Sequence, residues 1–512
     1  MPYHLRALVA ILFLSTLAFW FLRKPLTTFA MAPEDYRRRV ALWLGLTVLL
    51  FVSHGFWTFI FGTAFVLLAM GRKESNLLAL YLFLLLMAPP VRTSINGFAG
   101  ITRFIDFDYL RLLSLVVLLP AALKIAASER APLFSLPADK FLLGYIGLQI
   151  GIALTTSSFT DVLRTAVVLG IDIFLPYYAF SRGLWDAARM RDALAAFVGA
   201  GAVIAFIALF EAGKGWLLYS SLPEVLDVHW NYGSYMYREG SLRATVSTGH
   251  SIYLGYAMTA ALGLHLALRP SFPAGKSWTI VFLLLLGAVV VSFARGPWVG
   301  AAAVLAAAAM LAPSAKTTIV RALGLAILVV PIVSLTPLGP KILSLLPFIG
   351  AADQGSVDYR QQLFTVSMGV LMMNPFFGSP YYMSTGAMES MRQGEGIIDM
   401  VNSYLGVALA TGLVGLFLFA GVFISSALRI FVHLRRSPDK AGEDHVTGRA
   451  LLATLAGVLV TISTVGSDNV VPFVYWSLAG MCAAYMRIAA VSGYEQSADD
   501  RPREHSSAVA SA

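Results

Sequence analysis

Residues 396–419 read GIIDMVNSYLGVALATGLVGLFLF. The stretch opens on a carboxylate and a carboxamide, Asp399 and Asn402, and then runs apolar to its end. A long uncharged apolar run is what the bilayer interior demands, because a helix satisfies its own backbone there without water. A plain anchor has no use for the two polar groups at its mouth. The stretch therefore speaks for a membrane helix and for a site at its end.

Similar runs recur along the chain. Candidate spans are 5–22, 40–53, 56–70, 76–89, 109–125, 141–157, 164–180, 193–210, 251–268, 278–294, 297–312, 318–336, 401–428, 450–466 and 470–488. The pairs 40–53/56–70 and 278–294/297–312 are short enough to be tight hairpins or broken helices. Of 512 residues, 58% are hydrophobic and 13% charged. A soluble chain is about half apolar and about a quarter charged, so this composition excludes a soluble protein of this length. The expected class is all-α: a polytopic integral membrane helical bundle of about 12–15 transmembrane helices with a large, partly helical periplasmic loop. The run from Leu5 to Leu22 has no small-residue cleavage site after it and reads as a retained helix.

The net charge of +9 does not point to nucleic acid, because the cations sit mainly in short loops between apolar runs. Such loops face the cytoplasm. They hold Arg23, Lys24 and Arg37–Arg39; Arg72 and Lys73; Arg182, Arg189 and Arg191; Arg269 and Lys276; Lys316 and Arg321; and Arg429, Arg435 and Arg436. Some of these cations also suit anionic lipid. The tail after Ser492 is polar and reads as disordered and cytoplasmic. The single cysteine, Cys482, lies in an apolar run, so neither a disulfide nor a Cys-based metal site is available within the chain. The sequence holds no short-period repeat, phosphate-binding loop, H-E-x-x-H, CxxC or G-x-S-x-G.

Two outward loops are long, 211–249 and 337–400, and loops of that length are usually folded for function or disordered. The first carries Trp216, Trp230, Tyr232, Tyr235 and Tyr237; the second carries YRQQLFTVSMGVLMMNPFFG, with apolar residues at helical spacing. Both read as segments lying at the membrane interface.

Ionisable groups at membrane depth are costly and suggest function. Arg295, in VVVSFARGPWVG, sits beside a Gly-Pro helix break at the outer side, where a guanidinium fork suits an anion or an interfacial lipid phosphate. Arg243 and His250, in LRATVSTGHSIYLGY, precede a span; the histidine is either an acid–base group or a satisfied polar group. Arg360 either binds a ligand or pairs with Asp353 or Asp358. Asp399 is a plausible cap for the helix that follows, with Asn402 in its first turn and Tyr404 two residues on. Asp172, in LGIDIFLPYY, is a weaker buried-carboxylate candidate.

Taken together, LRATVSTGHSIYLGYAM, SFARGPWVG, DYRQQLFTVSMGVLMMNPFFGSPYY and VNSYLGVALATGLVGLFLF resemble, in that order, motifs of the bacterial O-antigen ligases and the related O-antigen and exopolysaccharide polymerases. The resemblance spans Arg243 to Phe419. It implies a GT-C-like, multi-pass inner-membrane protein active at the periplasmic face. It also implies a metal-independent glycosyltransferase, without cofactor, that takes glycan from an undecaprenyl-diphosphate carrier. Membrane lipids, a chain-length regulator and a flippase are the implied partners, and nucleic acid is not. Arg295, Arg360 and Arg243 would hold the diphosphate, while Tyr404 and Asn402 would line the sugar or acceptor.

One departure is informative. Ligases carry histidine immediately before that asparagine, and here the position is Val401. The base would then be Asp399 or His250. The absent histidine favours a polymerase; ligase-type transfer to a lipid or protein acceptor and a non-enzymatic lipid-linked glycan transporter are the alternatives. The implied organisation is 1–242, N-terminal helices and first long loop; 243–431, the ligase/polymerase-like core with loop 337–400; 432–491, C-terminal helices; and 492–512, the tail.

Overall fold

The computed structural model describes residues 1–71, 73–95, 104–128, 132–228, 237–238, 240–272, 276–321, 324, 335, 354–393, 396–437 and 439–499. The principal helices are α1 (Tyr3–Phe29), α2 (Pro33–Val52), α3 (Phe56–Gly71), α4 (Leu77–Leu84), α5 (Tyr109–Ala127), α6 (Pro137–Thr156), α7 (Phe159–Gly183) and α8 (Ala187–Lys214). They continue as α9 (Ser251–Ala267), α10 (Ser277–Val291), α11 (Arg295–Met310), α12 (Gln354–Met373), α13 (Ser403–Arg436), α14 (Glu443–Ile462) and α15 (Val470–Asp499). Each apolar run read from the sequence coincides with one of these, except 318–336, most of which lies outside the described residues. Among the described residues, six helices are long and apolar enough to cross a membrane by length and composition: α1, α5, α7, α8, α13 and α14. The protein is a largely helical, multi-spanning membrane protein.

Two expectations change. The chain is not purely helical. An antiparallel hairpin pairs β1 (Arg92–Ile95) with β2 (Ile105–Asp108), and a shorter one pairs β3 (Tyr237–Arg238) with β4 (Ser241–Leu242). The run 76–89 is helical only to Leu84, because Pro89 and Pro90 lie ahead. Its non-helical end from Leu85 to Val91 is buried in protein, the setting in which irregular backbone is tolerated at membrane depth. Tyr109 Oη donates to the freed Leu84 carbonyl at 3.0 Å, and Ser247 donates to that of Leu86. In the tail, α15 stays helical to Asp499, and residues 500–512 lie outside the described set.

Helix α8 is apolar all round over 193–210 and buried along most of its length, packed by α1, α4, α9 and α10. Close approach of α9, α11 and α14 rests on small residues. A Cβ on Gly300 would collide with Thr461, and one on Gly457 with Val304.

Several cations read as loop charges are ion-paired inside the bundle. Arg39, fully buried, reaches Glu74 and Asp192 at 2.6 Å each, tying α2 to α8 and to the loop before α4. Arg182 holds Asp139 at 3.0 Å. Helix α12 covers the N-terminal end of α13 through a small apolar core that includes Leu363, Val370, Leu371, Leu405 and Leu409.

Candidate functional site

The break between α10 and α11 builds the centre of the site. Phe293 adopts φ +45 and Ala294 is extended, so the chain turns sharply before Arg295 opens α11. The break frees backbone carbonyls, and neighbours take them up. Trp298 Nε1 donates to Val289 O at 2.8 Å, Ala244 N to Val291 O at 3.2 Å, and Arg243 Nε to Ser292 O at 3.4 Å. Gly255 makes room for the turn, since a Cβ there would lie 2.7 Å from Pro297 Cβ and 2.8 Å from Ser292 Oγ. The glycine five residues after His250 thus fits the Gly-Pro break of another segment.

Glu211 fixes the segment that carries Arg243. Its fully buried carboxylate accepts from Leu218 N at 2.8 Å, Thr245 N at 3.1 Å and Val246 N at 2.9 Å. The strained Val246, at φ +47, is pinned by that contact. Sequence reading passed over Glu211, which sits at the end of an apolar run with no local partner; an acid closing a span was the available signal.

Arg243, Arg295 and Arg360 line one cavity of about 80 Å3, with Ile252, Ala294, Gly296, Pro297, Val357 and Thr464. They arrive from the segment after β4, the first residue of α11 and the first turns of α12. The N-terminal end of α11 adds its positive dipole to theirs. Desolvation lowers the Arg360 pKa, Asp399 opposes that and Arg295 adds to it, so Arg360 feels both groups.

The mouth of α13 differs from expectation. The helix begins at Ser403, and its cap is Asn402, whose Oδ1 accepts from Tyr404 N at 3.0 Å and Leu405 N at 3.1 Å. Asp399 is not the cap. It stands in the extended approach, clasped through its backbone by Tyr359: Asp399 N donates to Tyr359 Oη at 3.0 Å, and that hydroxyl donates to Asp399 O at 3.2 Å. Asp399 is exposed, yet its pKa is raised by desolvation and by Asp468, with Arg360 pulling it down. Tyr404 points elsewhere, its hydroxyl donating to Leu459 O at 2.9 Å.

His250 caps α9. Its Nδ1 accepts from Ile252 N at 3.2 Å, which leaves the ring proton on Nε2. Desolvation and the charge of Arg243 lower its pKa to about 4, so at neutral pH it is an uncharged donor.

Asp468 was missed by sequence reading. It lies in the short turn between α14 and α15, which folds against the approach to α13. Ser403 N and Oγ reach Val465 O at 3.1 and 2.7 Å, and a Cβ on Gly466 would lie 2.6 Å from Met400 O. Desolvation raises the Asp468 pKa and Arg92 lowers it. A lone carboxylate between the apolar runs 450–466 and 470–488 was the available signal. Asp172 has a structural partner, Arg111, which grips it at 2.7 Å from 61 residues away. Asp353, Trp230, Tyr232 and Tyr235 lie outside the described residues.

Among the described residues, no group of three or more His, Cys, Asp or Glu side chains is placed to hold a metal ion. Residues 280–420 match a family model described as O-antigen ligase. The matched region holds Arg295, Arg360, Asp399, Asn402 and Tyr404, and stops short of Arg243 and His250. No curated protein matches the chain.

Proposed function

Residues 280–420 match the O-antigen ligase family model, and from that likeness we propose that the protein joins a glycan, delivered on a polyprenyl diphosphate, to an acceptor hydroxyl at the outer face of the inner membrane. The family match supports glycan transfer as such. The finer reading is carried by one observation: Arg243, Arg295 and Arg360 converge from three separate segments on one cavity.

In this reading the acceptor oxygen attacks the anomeric carbon, the bond from that carbon to the diphosphate oxygen breaks, and the carrier diphosphate leaves. The arginines and the α11 N-terminus hold the charge that develops on it. Asp399 takes the acceptor proton; its raised pKa brings it closer to the working pH of a general base. His250, with its proton on Nε2, serves as a donor to the glycan or the diphosphate rather than as the base. Asn402 contributes by starting α13 in the right place.

The family match favours ligase-type transfer of a finished glycan to a lipid or protein acceptor. A polymerase is the second reading, favoured by Val401 standing where ligases carry histidine. The glycan profile of a deletion strain separates them. Polymer left on the carrier supports the ligase, single carrier-linked repeats support the polymerase, and full-length attached glycan sinks both.

A further inference from the structure

At the end of α11 opposite Arg295 lies a second cavity, of about 350 Å3. Helix α11 has 16 residues, which sets the two cavities about 24 Å apart along the bundle. One wall is polar: Arg435, Lys440 and His445. The other is apolar: Met310, Leu311 and Phe431.

The neighbouring acids are committed elsewhere. Glu443 holds Arg191 at 2.6 Å, Asp444 holds His433 at 3.0 Å, and Asp439 Oδ1 accepts from Ala441 N and Gly442 N at 2.9 Å each. Arg435 stacks on the Phe431 ring, 4.5 Å from its centroid. His445 is 5% exposed and its Nδ1 has no hydrogen-bond partner among the described residues, nor has Arg449 Nε one turn further along α14. Buried polar atoms left in this state require a partner.

We propose that this cavity seats an anionic phospholipid. Its headgroup phosphate lies between Arg435, Lys440 and His445, and an acyl chain runs along Met310, Leu311 and Phe431. Charge alone would suit any phosphate. The apolar wall, with Met310 itself 69% exposed, commits the site to an amphiphile. The bound lipid would bridge α11, α13 and α14 at the face opposite the arginine cavity. The inference is independent of which glycan transfer the protein performs.

The test uses the full chain in phosphatidylcholine nanodiscs doped with phosphatidylglycerol, read by native mass spectrometry of retained lipid and by Tm. The expected result is preferential retention of phosphatidylglycerol by roughly tenfold, with a raised Tm. Both effects fall to near parity in Lys440→Gln, an exposed position that leaves the fold intact, and in Arg435→Gln. Lys276→Gln, an exposed cation in another loop, keeps both. Parity in the unmodified protein overturns the proposal. So does an equal loss in Lys276→Gln, which would mean diffuse surface attraction. Full stabilisation by inorganic phosphate in place of the lipid overturns the lipid assignment in favour of a free anion.

Discussion

The amide of Leu413 donates to the carbonyl of Pro375 at 2.8 Å, across a break in α13 where Gly412 adopts φ +68. Val414 N donates to Phe376 O at 3.2 Å, and Ser379 N returns to Leu409 O at 2.8 Å. The N-P-x-x-G turn at Asn374–Gly378 is thus inserted into the membrane helix and satisfies the groups that the break exposes. A Cβ on Gly412 would collide with the Phe376 carbonyl, and one on Gly378 with that of Leu409. The turn ends the segment that begins with α12, so the insertion anchors Arg360 relative to Asp399.

Gly412→Ala should therefore expel the turn. The strained φ alone costs about 1–3 kcal/mol, and the collision adds to it. The expected outcome is a lower Tm together with loss of glycan transfer, although no arginine or carboxylate has changed. Gly369→Ala, on the same long loop segment with open space around its Cβ, should leave both intact. Thermal unfolding and transfer to an acceptor, measured side by side, check it.

Apolar runs marked the helices because a span is a local property, fixed by a window of side chains against lipid. Motif order around the long outward loop pointed to the three arginines. What stayed hidden depends on residues far apart in sequence. Gly412 sits within an apolar helical run, and nothing local says that residues 375–379 enter there. The partner of Asp172 is 61 positions away. Asp399 looked like the cap because acids commonly are, but the helix starts four residues later and Asn402 takes the amides. The extended approach that results leaves the Asp399 carboxyl free of that duty.

Arginine geometry should matter beyond charge. Arg295→Lys and Arg360→Lys each replace a planar fork with a point charge, and each should lower turnover by about 10²–10³ while the protein stays folded. Rates with purified lipid-linked donor, alongside Tm, make the measurement. Full activity in both lysine variants would remove the diphosphate clamp.

Glu211→Gln tests whether Arg243 is positioned at a distance. The amide keeps one acceptor oxygen but turns an NH2 toward backbone donors at Leu218 or at Thr245 and Val246, costing roughly 1–3 kcal/mol. KM for the donor should rise more than kcat falls, because the clamp is displaced while Asp399 is untouched. An unchanged KM with a lowered Tm would assign Glu211 to stability alone.

The pH dependence distinguishes Asp399 from its neighbours. As a base it works only when ionised, so activity should fall as pH drops through its pKa. Desolvation and Asp468 raise that pKa, placing the acid limb above the ordinary carboxylate value of about 3.9. Asp468→Asn removes a negative neighbour, lowers the pKa and moves the limb to lower pH. Arg360→Gln removes the opposing positive charge and moves it to higher pH, on top of its loss of rate. Asp399→Asn should cost about 10²–10⁴ in rate and abolish the limb. Normal activity in Asp399→Asn, or limbs that shift the same way in the two neighbour variants, would transfer the base to another group. The opposite shifts are a signature that a purely structural role for Asp399 does not produce.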